Sequence, residues 1–142
     1  LADRAGALAN YTHARRVGEL IFDSGVSSRR ADNTHAGVTI ERDDSGAVVK
    51  VHKDITAQAR AVIRNIGVIL ERAGASLADV VDCTVVLVDM DDYPGFNAVY
   101  NEFFNAQSGP ARTTVAVHQL PHPNLLVELK VVAYHPLGAA VC

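Results

Sequence analysis

Residues 109–130 read GPARTTVAVHQLPHPNLLVELK. Two strand-like runs flank the turn signal Leu120-Pro121-His122-Pro123-Asn124. Neither proline can donate to a sheet ladder, and each biases the residue before it away from helix. Alternation then assigns faces. In the first run Thr113, Val115 and Val117 share one face, and Arg112, Thr114, Ala116 and His118 share the other. In the second, Leu125, Val127, Leu129, Val131 and Ala133 form a wholly apolar face opposite Leu126, Glu128, Lys130 and Val132. The apolar face is expected in the core. The other is expected to gather an arginine, a histidine and a glutamate among small or apolar neighbours. A fixed guanidinium in such a place suits bidentate recognition of a carboxylate. A solvated or structurally paired arginine is the plain alternative.

The chain has 142 residues, 49% of them hydrophobic. That suits one domain, residues 1–142, with a real core and a fraying stretch at 1–9. A formal net charge of −3 lacks the basic footprint of a nucleic-acid binder. No apolar run approaches a membrane span, and no signal-peptide pattern opens the chain. Cys83 lies in an apolar run and Cys142 is the last residue. They suggest neither a disulfide framework nor a metal motif, so a reducing cytoplasm is the expected compartment. The six histidines show no metal-ligand spacing.

Taken in order, residues 17–25 (VGELIFDSG) predict a strand, ended by Ser24-Gly25. Val38 to Ile40 and Ala47 to Val51 predict two short strands around the turn signal Asp43-Asp44-Ser45-Gly46. Asp54 is the expected N-cap of a five-turn amphipathic helix, buried through Ile55, Ala59, Val62, Ile63, Ile66 and Leu70 and stopped by Gly74. Residues 80–89 predict a strand covered on both faces, with Val81, Cys83, Val85 and Leu87 together. Asp91-Asp92 is expected to cap a second helix whose buried stripe is Phe96, Val99, Tyr100, Phe103 and Phe104. Two helices can cover one face of a single sheet, which leaves a partly apolar face for another subunit.

Several motifs together resemble the RidA/YjgF family of imine and enamine deaminases. They are Tyr11 with Val17-Gly18, Ser24-Gly25, Asn65 in the long helix, Phe96-Asn97-Ala98-Val99-Tyr100, Gly109-Pro110-Ala111-Arg112-Thr113 and Val127-Glu128-Leu129. The resemblance implies an α+β, chorismate-mutase-like sandwich: one mixed sheet of about six strands with two helices on one face. It further implies a homotrimeric barrel with ligand sites between subunits. Ser27-Ser28-Arg29-Arg30, Asp32-Asn33-Thr34 and residues 113–123 are similar to the 2-aminomuconate deaminase branch. The general imine deaminases of the family usually carry a cysteine where this chain has Thr114.

The resemblance implies cofactor-free hydrolysis of 2-aminomuconate, through an imine, to 4-oxalocrotonate and ammonia. Arg112 would hold the substrate carboxylate and Glu128 would activate water. Tyr11 would close the site, and Ser24 and Gly25 would hold the departing nitrogen or the water. Asn97 and Thr114 would line the pocket. A dicarboxylate needs a second cation, for which Arg29, Arg30 and His118 are the candidates. Two alternatives remain: a general 2-imino acid or enamine deaminase, and a non-catalytic module that binds small carboxylates. In a simple hairpin, Arg112 and Glu128 would sit roughly 13 Å out of register. They are therefore expected to meet across a subunit boundary.

Overall fold

In the computed structural model, which describes residues 5–6 and 12–138, the predicted first strand is two. Gly18, at φ +59°, turns the chain between β1 (Ala14–Val17) and β2 (Leu20–Asp23). A side chain resists that left-handed backbone, and glycine does not. The chain continues through β3 (Val38–Arg42), β4 (Val48–Lys53), α1 (Ile55–Arg72), β5 (Val80–Leu87), α2 (Tyr93–Phe103), β6 (Ala111–Ala116) and β7 (Val127–Tyr134). Five strands form a mixed sheet in the order β1-β2-β7-β5-β6, while β3 and β4 form a separate two-stranded sheet. The expected single sheet of about six strands is thus five strands and a detached hairpin.

The helices form for the reasons their sequences give. The Asp54 side chain accepts from the N–H groups of Thr56 and Ala57, and Gly74, at φ +88°, follows the last turn of α1. At α2 the capping expectation is corrected. Asp92 stands at the N-cap without a side-chain bond, and Asp89 instead accepts from the Asp91 N–H. α1 packs on β7 and β2, and α2 packs on α1. Between helices and sheet lie Ile21, Ile63, Ile66, Leu70, Cys83, Val85, Leu87, Phe96, Val127, Leu129 and Val131, all fully or almost fully buried.

β5 corrects a second expectation. A register shift between Val80 and Asp82 puts Val80 in the core and leaves Val81 46% exposed. A bulge adds one residue and so reverses which side chains point inward. The opposite face of the sheet is open, with Leu20, Phe22, Val115 and Tyr134 exposed. In the single chain β5 is therefore covered on one face.

The prolines of residues 109–130 do not make a hairpin. β6 pairs parallel with β5, and β7 pairs antiparallel with β5 on its other side. The chain from β6 to β7 thus passes over the end of β5. Gln58, wholly buried in α1, pins that passage. Its Nε2 donates to the Asn124 carbonyl at 2.9 Å, and its Oε1 accepts from the Leu126 N–H at 2.9 Å.

Asp23 interrupts the seam between β2 and β7. Its Oδ1 accepts from the Val131 N–H at 2.7 Å, while Oδ2 is buried without a hydrogen-bond partner among the described residues. Burial pushes this carboxyl from 3.8 up to about 7, against the lowering effects of the Val131 N–H and Lys130.

Two stability measurements check these packing arguments. Gln58→Leu strands a buried carbonyl and a buried N–H, so chemical denaturation should show a loss of roughly 2–5 kcal/mol. For Asp23, the native state keeps a proton that the unfolded chain releases between 3.8 and about 7. Wild-type stability should therefore fall as pH rises through that window. Asp23→Asn lacks this component, so the stability gap should move in its favour by on the order of 4 kcal/mol.

Candidate functional site

Register decides where Arg112 points. Its Cα partner on β5 is Cys83, and Thr114 pairs with Val85. Cys83 and Val85 are core residues, so Arg112 and Thr114 lie on the helix-facing side of the sheet. Glu128 pairs with Val86, on the open side. The expectation that Arg112 and Glu128 share one face is overturned. Two strand spacings across and three residues along separate their Cα atoms by roughly 14 Å, with the side chains diverging. One chain does not bring them together.

Arg112 sits over the aromatic stripe of α2. Its Cζ lies 4.7 Å from the ring centre of Tyr100, 5.5 Å from Phe96 and 5.6 Å from Tyr93. Its Nη2 donates to Asn97 Oδ1 at 2.8 Å. Nη2 contributes one hydrogen to each of the guanidinium's two-donor edges that it shares, one with Nε and one with Nη1. Whichever hydrogen Asn97 takes, one complete edge remains for a carboxylate. Among the described residues, no Asp or Glu pairs with Arg112. Asn97 thus holds the arginine through its Oδ1. Cys83 behind it is fully buried, and burial pushes its thiol up to about 12, which makes it inert at neutral pH.

A second group of residues forms around the end of β2. The Glu128 carboxylate lies so close to Gly25 that a Cβ there would fall 2.8 Å from Glu128 Cδ and Oε1. Burial raises the Glu128 carboxyl above its ordinary 4.5. Among the described residues it has no ion pair, and Lys130 instead donates to the Asp23 carbonyl. On the helix side of Gly25 a cavity of about 60 Å³ is lined by Ser24, Gly25, Ser27, Arg29 and Asn65, with His13 at its edge. Ser24 donates its hydroxyl proton to the Thr12 carbonyl, which leaves its oxygen as an acceptor only. The Gly25 N–H has no hydrogen-bond partner among the described residues.

The other predicted site residues divide. Arg29 lines the cavity, held by Asn33 and the Gly6 carbonyl. Arg30 is exposed and donates to Thr34 at 3.1 Å, away from the cavity lining. His118 lies beyond the end of β6, so strand alternation does not carry it to Arg112's face, and it is exposed. Tyr11 falls outside the described residues. The sequence reading missed Tyr93 and Tyr100 as neighbours of the arginine. Phe96 and Tyr100 belong to the expected helix stripe, which omits Tyr93, and the strand residue beneath the stripe was not visible.

Among the described residues, no cluster of three or more His, Cys, Asp or Glu could hold a metal, and no helix is long and apolar enough to cross a membrane.

Residues 2–135 match the family described as endoribonuclease L-PSP. A RutC family protein of Pyrococcus abyssi is 41% identical over 124 residues, which cover 87% of this chain and 85% of that protein. A 2-iminobutanoate/2-iminopropanoate deaminase of Salmonella typhimurium is 36% identical over 85 residues, 58% of this chain and 66% of that enzyme. The crystal structure of RidA from an Antarctic Psychrobacter matches with a TM-score of 0.74 at 28% identity, covering 94% of this chain and 95% of that one. With its mixed sheet, two helices and these matches, the chain belongs to the endoribonuclease L-PSP family, the RidA/YjgF/RutC group that its motifs resemble.

Proposed function

We propose that this protein hydrolyses 2-imino acids and their enamine tautomers to 2-oxo acids and ammonia. The observation that carries the reading is the Glu128 carboxylate: partly buried, without an ion pair among the described residues, its carboxyl raised by burial, and packed against a glycine. Such a group suits general-base work near neutrality. The named activity of the Salmonella relative supports the same chemistry.

The steps balance without an added group. An enamine takes a proton at carbon and becomes an iminium ion, whose carbon is already electrophilic. Water adds to that carbon while Glu128 accepts one of its protons, giving the neutral carbinolamine. The carbinolamine nitrogen takes that proton back from Glu128, the C–N bond breaks to release ammonia, and the hydroxyl proton passes to Glu128 as the C=O bond of the ketone forms. Arg112 holds the neighbouring carboxylate in plane and so places the carbon to be attacked. Oδ1 of Asn97 steadies the arginine, and the Gly25 N–H and Ser24 oxygen are available to the water or the nitrogen.

Arg112 and Glu128 stand too far apart in one chain to serve one small molecule. The reading therefore includes closure of the site between copies, with Arg112 of one chain facing Glu128 of the next. The open face bearing Leu20, Phe22, Val115 and Tyr134 supports association of copies, and a homotrimer is the assembly proposed. The broad imino-acid reading is preferred to one restricted to 2-aminomuconate. The narrower substrate needs a second cation, and of the three candidates only Arg29 lines the cavity beside Gly25. A formal charge of −3 argues for small acids over RNA as ligands.

Ammonia release from freshly generated 2-iminobutanoate and from 2-aminomuconate tests the proposal. Glu128→Gln should lower kcat by about 10²–10⁴-fold while product binding persists. Unchanged turnover would remove Glu128 as the base. In the wild type, kcat/KM should fall on the acid side with an apparent pKa above the ordinary 4.5. Gly25→Ala pushes only the flexible end of Glu128 aside, so the protein should remain folded. Its kcat should fall by roughly 10–100-fold, as displacement of a reacting group does.

A further inference from the structure

We propose that Tyr100, with Tyr93 at the rim, is a positioning residue for Arg112. Its ring fixes the plane of the guanidinium, so that an intact pair of N–H groups is held out for a carboxylate. The inference rests on the carboxylate-binding role given to Arg112 above.

Arg112 stands on β6, at the edge of the sheet, and is only partly buried. A side chain with several rotatable torsions in that setting would sample many orientations. One hydrogen bond, from Nη2 to Asn97 Oδ1, anchors a single corner of the guanidinium and leaves it free to pivot. A flat surface beneath it removes the pivot. Tyr100 supplies that surface, with its ring centre 4.7 Å from Cζ. The ring is itself immobilised. Tyr100 is 8% exposed and lies 4.7 Å from the ring of Phe104 and 5.9 Å from that of Phe96.

The choice of aromatic rings over an acid has a chemical consequence. An aspartate or glutamate would also hold the arginine, but it would occupy the edge that the substrate carboxylate needs and would neutralise the charge. The π-faces of Tyr100, Phe96 and Tyr93 attract the cation without taking up its charge or the donor edge that a carboxylate needs. The guanidinium is thereby steadied and still fully charged. No acidic side chain pairs with it among the described residues.

The test compares Tyr100→Leu with Tyr100→Phe. Tyr100→Leu should raise KM for 2-iminobutanoate, and Kd for 2-oxobutanoate by calorimetry, about tenfold, with kcat within about threefold of wild type. Tyr100→Phe keeps the ring and should stay within about twofold. In an Arg112→Lys background the leucine change should add less than about twofold, because the flat cation it served is gone. Wild-type KM and Kd in folded Tyr100→Leu, or equal losses in both backgrounds, would overturn the proposal. If Tyr100→Leu does not fold, Tyr93→Leu at the exposed rim should weaken 2-oxobutanoate about two- to threefold, and no change there overturns it. A readout independent of activity is the NMR signal of the Arg112 Nε–H. The rings should displace it upfield in the wild type, and Tyr100→Leu should release it. Wild-type protein that binds no 2-oxobutanoate would sink the functional reading. An Arg112 signal indifferent to Tyr100→Leu would sink this inference alone.

Discussion

Parallel pairing between β5 and β6 is the constraint from which the rest of the arrangement follows. Two parallel neighbours cannot be joined by a tight turn, so the chain must leave the sheet and return. α2 is that excursion, and it returns the chain with its aromatic stripe lying over β6. The register then matters to the residue. With Cys83 opposite Arg112, the arginine faces the helices. A shift of one residue would turn it to the open face and put Thr113 beneath Tyr100. The same pairing forces the following segment to pass over the end of β5 before β7 can form, and the buried Gln58 satisfies the backbone groups exposed by that passage.

Two carboxylates lie along the seam between β2 and β7, and neither is there for stability. Asp23 and Glu128 are both raised by burial, and the negative charge of Glu128 raises Asp23 further. Lys130 is close enough to lower Asp23, yet its ammonium donates to the Asp23 carbonyl. Among the described residues Glu128 thus keeps a desolvated and unpaired carboxylate, which disfavours the folded state once it ionises. Local rules of stability are commonly broken at functional positions. That is why an unpaired glutamate against a glycine carries more functional weight here than an arginine, which any surface can hold.

The sequence made the helices legible because their signals are local. Asp54, the Ile55-to-Leu70 spacing and Gly74 all act within a few residues of one another. For the candidate site, the strand positions of Arg112 and Glu128 and the strand end at Ser24-Gly25 were legible as well. The pairing of β6 was hidden because it is non-local. Its alternation separates Arg112 and Thr114 from Thr113 and Val115, but does not say which set faces the core. Val115 looked like the core side and is 43% exposed on the open face. Two prolines between strands read as a hairpin, although nothing in them prevents another strand from lying between. The Val80–Asp82 bulge is also invisible in a run of residues all suited to strand.

Under the proposed function, the open face would make a monomer a poor catalyst. Glu128 lies on the same open face as Phe22 and Val115, side chains that water now reaches. Under the proposed assembly a second copy covers them. Covering removes water from around Glu128 and raises its carboxyl further, because burial is the cause of the shift already present. It also brings an arginine that pairs with no carboxylate among the described residues of its own chain. That positive charge acts in the opposite sense and keeps the base ionised. Under that assembly desolvation would make the carboxylate a stronger base, and the incoming guanidinium would keep it charged enough to act. Neither effect is complete in one chain, so the proposed function would set association and general-base strength by the same contact.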